Sequence, residues 1–475
     1  MTSLAPQTAL HPVEPSFFDP EREVVVARAP GRLDLMGGNV DYTGGLVLQS
    51  LVQEGIQVTA QMRRDERVIL RNPGAAQHGW QTEVEFELSD LDDAEHLRQM
   101  CHGTPGLQWA AYVAGSLHLL RWRGQGLSHF GVQIYIESNL PPNKGVSSSA
   151  ALAIATLKAV STACGAPLMG TELAEAGQWV ENEIARSACG IMDHAAIVFG
   201  QQRSLLPMLC RPLHVGTGIP LPTGVRLWGV DSAVPRTTTS LAYERARAAA
   251  FMAYKLLCDR EGLEVSFDGL GAIPRWRDAR WNGYLSTISP EDFESRYERE
   301  LPEALTGDSF LREHGPHVDP FTSIHPQMAY PVRAAAHYAV REHERVQHFA
   351  SLFSSRTGDP AMSEEQRLCQ LGELMFQSHH AYGKTGLGSD RCDELVEMVS
   401  RAGPVSGLYG AKMTGGGGGG TIAILGTDRG EETFRGIVEE YGRRYGVTPY
   451  VFAGNASGAD TLDCQILPRT TQQVG

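Results

Sequence analysis

The chain has no uncharged apolar run long enough to cross a bilayer, so a transmembrane helix is not expected. Basic residues are in deficit. The 41 Lys and Arg against 55 Asp and Glu leave a formal charge of -14, which argues against broad attraction to nucleic acid or to an anionic membrane. A local basic pocket for phosphates remains compatible with that balance. None of the eight cysteines (Cys101, Cys164, Cys189, Cys210, Cys258, Cys369, Cys392 and Cys464) falls in a CxxC pair. They read as reduced core or loop thiols, not as a disulfide framework or a structural zinc site. The opening MTSLAPQTALHPVEPSFFDPERE lacks the basic and apolar stretches of a signal peptide, which makes it a mobile lead-in and a cytoplasmic location the expectation. No fixed-period repeat is present, and the one low-complexity element is a run of six glycines. GKT at 383 to 385 does not complete a Walker P-loop, because the required first glycine falls at Ser378.

What is present is an ordinary globular composition, 42% hydrophobic and 20% charged, over 475 residues, enough for two or three domains. Short β-branched runs dominate residues 22 to 88, and helical spacing then takes over at 107 to 122, 147 to 163 and 172 to 186. Most glutamates of the last helix read as solvent-facing. After about residue 205 the pattern restarts with the strand VRLWGVDS and the helix LAYERARAAAFMAYKLL, so the expected division is 1–205 and 206–475. A charged, proline-punctuated stretch at about 260–330 reads as a helical insertion in the second part.

Four stretches carry chemistry. GRLDLMGGNVDYTGG (31 to 45) sets Asp41 among four glycines and reads neither as a clean helix nor as a clean strand; a loop shaped around a small ligand and a plain surface turn both fit. PPNKGVSSSAA (141 to 151) places three serines at the start of an apolar helix. The unpaired N–H groups and partial positive charge there suit a polyphosphate, although a single serine would suffice as a cap. AKMTGGGGGG (411 to 420) spends glycines between two strands, where close backbone approach to a ligand would justify them. CGIMDHAA (189 to 196) holds Asp193 in apolar surroundings, either as a helix cap or as a reacting acid.

Taken together and in order, ARAPGRLDLMGGNVDYTGG, PPNKGVSSSAA and LYGAKMTGGGGGGT resemble the three motifs of the GHMP small-molecule kinases. APGR with DY and CGIMD point to the sugar-1-kinase branch. MGG where galactokinases carry GEH, with WGVDS and GLGSDRCDELV, is similar to the L-arabinose kinases within it. The resemblance implies an α+β fold of two domains, an N-terminal half like ribosomal protein S5 domain 2 and a ferredoxin-like C-terminal half, with the active site between them. It implies ATP and Mg²⁺, and phosphorylation of the anomeric hydroxyl of L-arabinose, with galactose, a uronic acid, L-fucose or a heptose as competing sugars and an inactive sugar sensor as a different class. Small-molecule sugar and ATP are the implied partners, without nucleic acid or membrane, in a monomer or homodimer.

By the same resemblance Asp193 takes the proton of the anomeric hydroxyl and Arg32 stands beside it. Asp41, Gly38, Asn39, Gly190 and Tyr243 meet the sugar. Lys144, Gly145, Ser147, Ser148, Ser149, Gly416 and Gly417 meet the nucleotide, and Ser149 and Glu181 hold the metal. Arg32 next to Asp193 should keep that acid ionised. Gly38 and Asn39 stand where galactokinases carry the Glu and His that reach the C6 hydroxyl, a group that L-arabinose lacks.

Overall fold

The β-branched runs near the N-terminus build the centre of a large sheet. In the computed structural model, which describes residues 15–235, 241–268, 275–354, 362–454 and 456–467, Val24–Met36 pairs antiparallel with Leu46–Met62. Val132–Ser138, Arg67–Arg71 and Glu83–Glu87 extend the sheet beyond Leu46–Met62. Ser204–Cys210 also pairs with Leu46–Met62 and carries the short strands Leu213–Val215 and Ile219–Pro220. The helix Ser148–Ala163 packs across the two central strands, and Ala110–Trp122 and Gly170–Glu183 pack on it in turn. With sheet and helices in contact on both sides, these strands are buried almost continuously instead of alternating.

A second, four-stranded antiparallel sheet has the order Leu408–Met413, Thr421–Thr427, Val225–Asp231, Val451–Ala453. Glu364–Tyr382 and Asp390–Ala402 cover it. The last described strand, Gln465–Leu467, returns to pair with Val24–Val26, while Lys158 of the first half donates to the carbonyls of Ala459 and Leu462. This two-sheet architecture, with helices packed on each sheet, is the expected α+β class. Ser204–Cys210 runs through the expected boundary at 205, and the C-terminal end lies against the first sheet.

Several elements differ from the sequence reading. GRLDLM is strand to Met36, so the irregular loop begins only at Gly37, and Leu46–Met62 is a single long strand. A 23-residue helix, Val332–Ser354, fills a stretch that had no assigned element because its many charges mask an apolar stripe through Val332, Ala335, Ala339, Val346 and Phe353. The inserted segment is mostly irregular in its described residues: Gly307–His314 and the run Pro290–Asp292 with Phe293–Tyr297 are helical, and the remainder is turns and short two-stranded pairs. It packs Trp281, Leu285, Phe293 and Tyr297 with residues of Leu241–Glu261 and Val332–Ser354 in a core of its own. Most of the N-terminal lead-in lies outside the described residues.

Candidate active site

Between the two sheets the register of Val24–Met36 shifts twice against its neighbour, between Pro30 and Arg32 and again between Asp34 and Met36. Such irregularities re-aim side chains, and here the buried Arg32 extends to Asp193, with Nε 2.8 Å and Nη2 2.7 Å from Oδ1. Asp193 lies inside the first turn of Met192–Phe199, where it caps nothing. Its other oxygen accepts the Ser147 hydroxyl. Burial pushes the Asp193 carboxyl up, but the Arg32 charge and the two hydrogen-bond donors outweigh it and hold the group below the usual carboxylate range. Asp193 is therefore ionised at neutral pH.

The three serines are not a redundant cap. Ser147 occupies the N-cap position in the left-handed region (φ 61°) and makes no capping bond; its hydroxyl turns to Asp193 instead. Ser149 Oγ donates to Glu181 Oε1 at 2.9 Å, and His194 Nε2 lies 3.1 Å from Glu181 Oε2. Unlike Glu172 of the same helix, Glu181 faces inward and is 2% exposed. Two oxygens 2.9 Å apart match the edge of an octahedron with bonds of about 2.1 Å, so Ser149 and Glu181 fit Mg²⁺. Cys189 brings a thiol beside Glu181 and His194, the donor atoms of these three within 4.8 Å of one another, but sulfur is a poor partner for so hard an ion.

The glycine run backs the serine loop. Five of its six residues have positive φ, and a Cβ on Gly415 or Gly420 would stand 2.8 Å from the carbonyl oxygen of Gly145 or Lys144. The close approach expected from the sequence is thus made to the protein's own loop. Gly416 and Gly417 face the other way: the Gly416 carbonyl is 3.5 Å from Asn39 Nδ2, and Gly417 packs on Tyr382 and Leu387. Lys144 is held by Asp231 at 2.5 Å, at the end of Val225–Asp231, and Arg32 Nη1 donates to the Gly145 carbonyl at 2.8 Å. Ser148 opens the helix on the same loop.

On the far side of Asp193 is a cavity of about 110 Å³ lined by Asp41, Gly190, Ile191, Arg247, Tyr284 and Phe321 among others. Asp41 Oδ2 accepts from the Met192 N–H at 3.2 Å, and its carboxylate occupies the space a Cβ on Gly190 would need, so that glycine is sterically required. Burial, then the neighbouring Asp193 charge, pushes the Asp41 carboxyl up to about 6. Tyr243 is buried, edge to face with Tyr42 of the wall. Gly38 and Asn39 turn away from this cavity. A Cβ on Gly38 would stand 2.6 Å from Asp34 Oδ2, a group paired with Lys412, and Asn39, at φ 60°, points Nδ2 at the Tyr382 hydroxyl 2.5 Å away.

Sequence reasoning missed His194, Arg247, Gly415 and Gly420. Arg247 follows Tyr243 by one helical turn, so position i+4 was the available signal. His194 had none beyond adjacency to Asp193.

The same regions are those matched by known families. Residues 111–201 match the N-terminal domain of GHMP kinases, residues 361–443 their C-terminal domain, and residues 15–62 the galactokinase galactose-binding signature. The chain belongs to the GHMP kinase family, in its sugar-1-kinase branch. Among its relatives, L-arabinokinase of Arabidopsis thaliana is 32% identical over 93% of this chain, which spans 47% of that longer protein. A galactokinase of Chloroflexus aggregans is 28% identical over 89% of each chain. The fold is that of Lactococcus lactis galactokinase in complex with galactose (TM-score 0.72, 23% identity, 92% of this chain and 95% of that one).

Proposed function

We propose that the chain transfers the γ-phosphoryl group of ATP to the anomeric hydroxyl of L-arabinose, giving L-arabinose 1-phosphate. The observation that carries the choice of sugar is the sugar cavity's lack of a polar side chain from positions 38 and 39. Gly38 has none, and that of Asn39 is committed to Tyr382. A pentose leaves no C6 hydroxyl to be paired, and a site holding partners for one would leave them unsatisfied. The similarity to a plant L-arabinokinase supports the same reading. The only cation lining the described cavity, Arg247, is already neutralised by Asp319, which speaks against a uronic acid.

In this reading the anomeric hydroxyl lies against Asp193, whose ionised carboxylate accepts its proton or stabilises the charge that develops, while Arg32 fixes the carboxylate's position. A depressed pKa makes a weak base, which suffices for a hydroxyl more acidic than ordinary sugar hydroxyls. The N-terminus of Ser148–Ala163 and the Lys144 to Ser149 loop hold the phosphates, and Ser149 with Glu181 would hold Mg²⁺, which supplies charge neutralisation on phosphate oxygens. The eight free cysteines agree with a cytoplasmic location. The test is ADP release over L-arabinose, D-galactose, D-glucuronate, L-fucose and a heptose, with phosphorus NMR of the product. L-arabinose as the best substrate, phosphorylated at C1, is expected; a different best sugar or a phosphate elsewhere rejects the proposal.

A further inference from the structure

The sugar cavity has an outer wall that no motif announced. Arg247, 2% exposed, lines the cavity together with Asp41. Its Nε and Nη2 form a two-pronged bond with Asp319 at 2.8 and 2.9 Å, and Asp319 is itself fixed by the Thr322 hydroxyl at 2.7 Å. The rings of Tyr42, Phe251 and Phe321 surround the guanidinium, 4.9 to 5.7 Å from its carbon. The remaining nitrogen, Nη1, is buried and makes no hydrogen bond of normal geometry, the Tyr243 hydroxyl being the polar side chain close to the guanidinium besides Asp319. Asp319, Phe321 and Tyr284 all come from the inserted segment, which is tied to the turn after Asp41 by the Ser286 N–H donating to the Thr43 carbonyl at 3.1 Å.

A buried guanidinium fixed on two edges and without a hydrogen bond of normal geometry on the third is a donor awaiting an acceptor, because buried polar groups are otherwise almost always paired. We propose that Arg247 is a sugar-specificity residue whose Nη1 donates to a ring hydroxyl, and that the inserted segment serves to position it through Asp319. The proposal rests on the sugar-1-kinase reading. It accounts for the coexistence of Arg247 and the acid Asp41 on one cavity: a hydroxyl both accepts and donates, so one sugar oxygen can take a hydrogen bond from Arg247 while its proton goes to the Asp41 carboxylate. Since Asp319 neutralises Arg247, the ligand called for is a neutral polyol and not an anion.

The test uses the full chain and whichever sugar of the five-sugar panel the wild type turns over best, so failure of the L-arabinose assignment and failure of this proposal are told apart. Arg247→Lys keeps the charge facing Asp319 but loses the fork. It is expected to raise sugar KM at least about tenfold, the scale of a charged hydrogen bond, with ATP KM within twofold. Asp319→Asn, outside the cavity lining, should raise sugar KM in the same direction by freeing the guanidinium. The double variant Arg247→Gln with Asp319→Asn, which leaves no buried charge, decides the matter if either single variant is unfolded by melting temperature. A folded variant lacking the Arg247 fork that keeps wild-type sugar KM overturns the proposal. So does an equal rise in sugar and ATP KM, which would mark Arg247 as structural.

Discussion

On the phosphate side of the cleft, Asp193 is matched by Arg32 and by the Ser147 hydroxyl, and its carboxyl stays ionised in spite of burial. On the sugar side, Asp41 rests on the Met192 N–H beside the like charge of Asp193, and its carboxyl rises to about 6. One acid is satisfied by the protein alone and the other is not. On the proposed function the contrast separates chemistry from recognition: a group that must face a reacting hydroxyl is preorganised, whereas a group that selects a ligand is left with capacity to spare.

The comparison breaks most visibly at Asp193. Asp193→Asn should lower kcat by about 10² or more while sugar and ATP binding by calorimetry stay near wild type, the scale of losing a positioned base. Wild-type kcat in that variant would remove Asp193 from the chemistry.

Asp41→Asn should do the reverse, weakening sugar binding by about tenfold or more while stabilising the free protein. Because the folded pKa of about 6 lies above the ordinary 3.8, the contribution of Asp41 to stability is fully present below pH 4 and is lost as pH rises through 6. The loss is at most about 3 kcal/mol at 1.36 kcal/mol per unit. Melting temperatures should therefore show the Asn variant gaining over wild type at pH 8 and not at pH 4; equal gains at both would contradict the buried-charge account.

Smaller effects sharpen the phosphate side. Ser149→Ala and Glu181→Gln should each raise the Mg²⁺ concentration for half-maximal rate several-fold, since each removes an oxygen from an ion strict about its geometry. Overlaid Mg²⁺ titrations would return both residues to a structural role.

The smallest expected effect is on the sugar loop. Asn39→His keeps a residue type tolerated at φ 60° and frees Tyr382, and should shift the kcat/KM ratio by a few-fold toward D-galactose. Gly38→Ala should lower activity on both sugars alike, because its Cβ meets the Asp34 carboxylate that pairs with Lys412. A Gly38→Ala variant with intact activity would show that this contact relaxes freely.

The phosphate side was the legible one. Serines at a helix start, an acid in an apolar stretch and glycines between strands are local signals, and the structure ties Ser147, Asp193 and Arg32 together and pairs Ser149 with Glu181. Glu181 still needed the fold, since the other glutamates of its helix are exposed or only half-buried. The cavity lining was legible at Asp41 and Gly190 but not at Arg247, whose setting depends on Asp319 72 residues away and on an inserted segment with little regular structure. Val332–Ser354 escaped for a related reason: charged residues and histidines interrupt its apolar positions and outweigh them in any sequence average.

The most direct test of the central claim is kcat/KM of the wild-type protein for L-arabinose against D-galactose at saturating ATP and Mg²⁺. The account predicts a ratio well above one in favour of L-arabinose, with the phosphate on C1 of the product. A ratio below one would contradict it, and would mean that a C6 hydroxyl finds partners in this cavity other than those at positions 38 and 39.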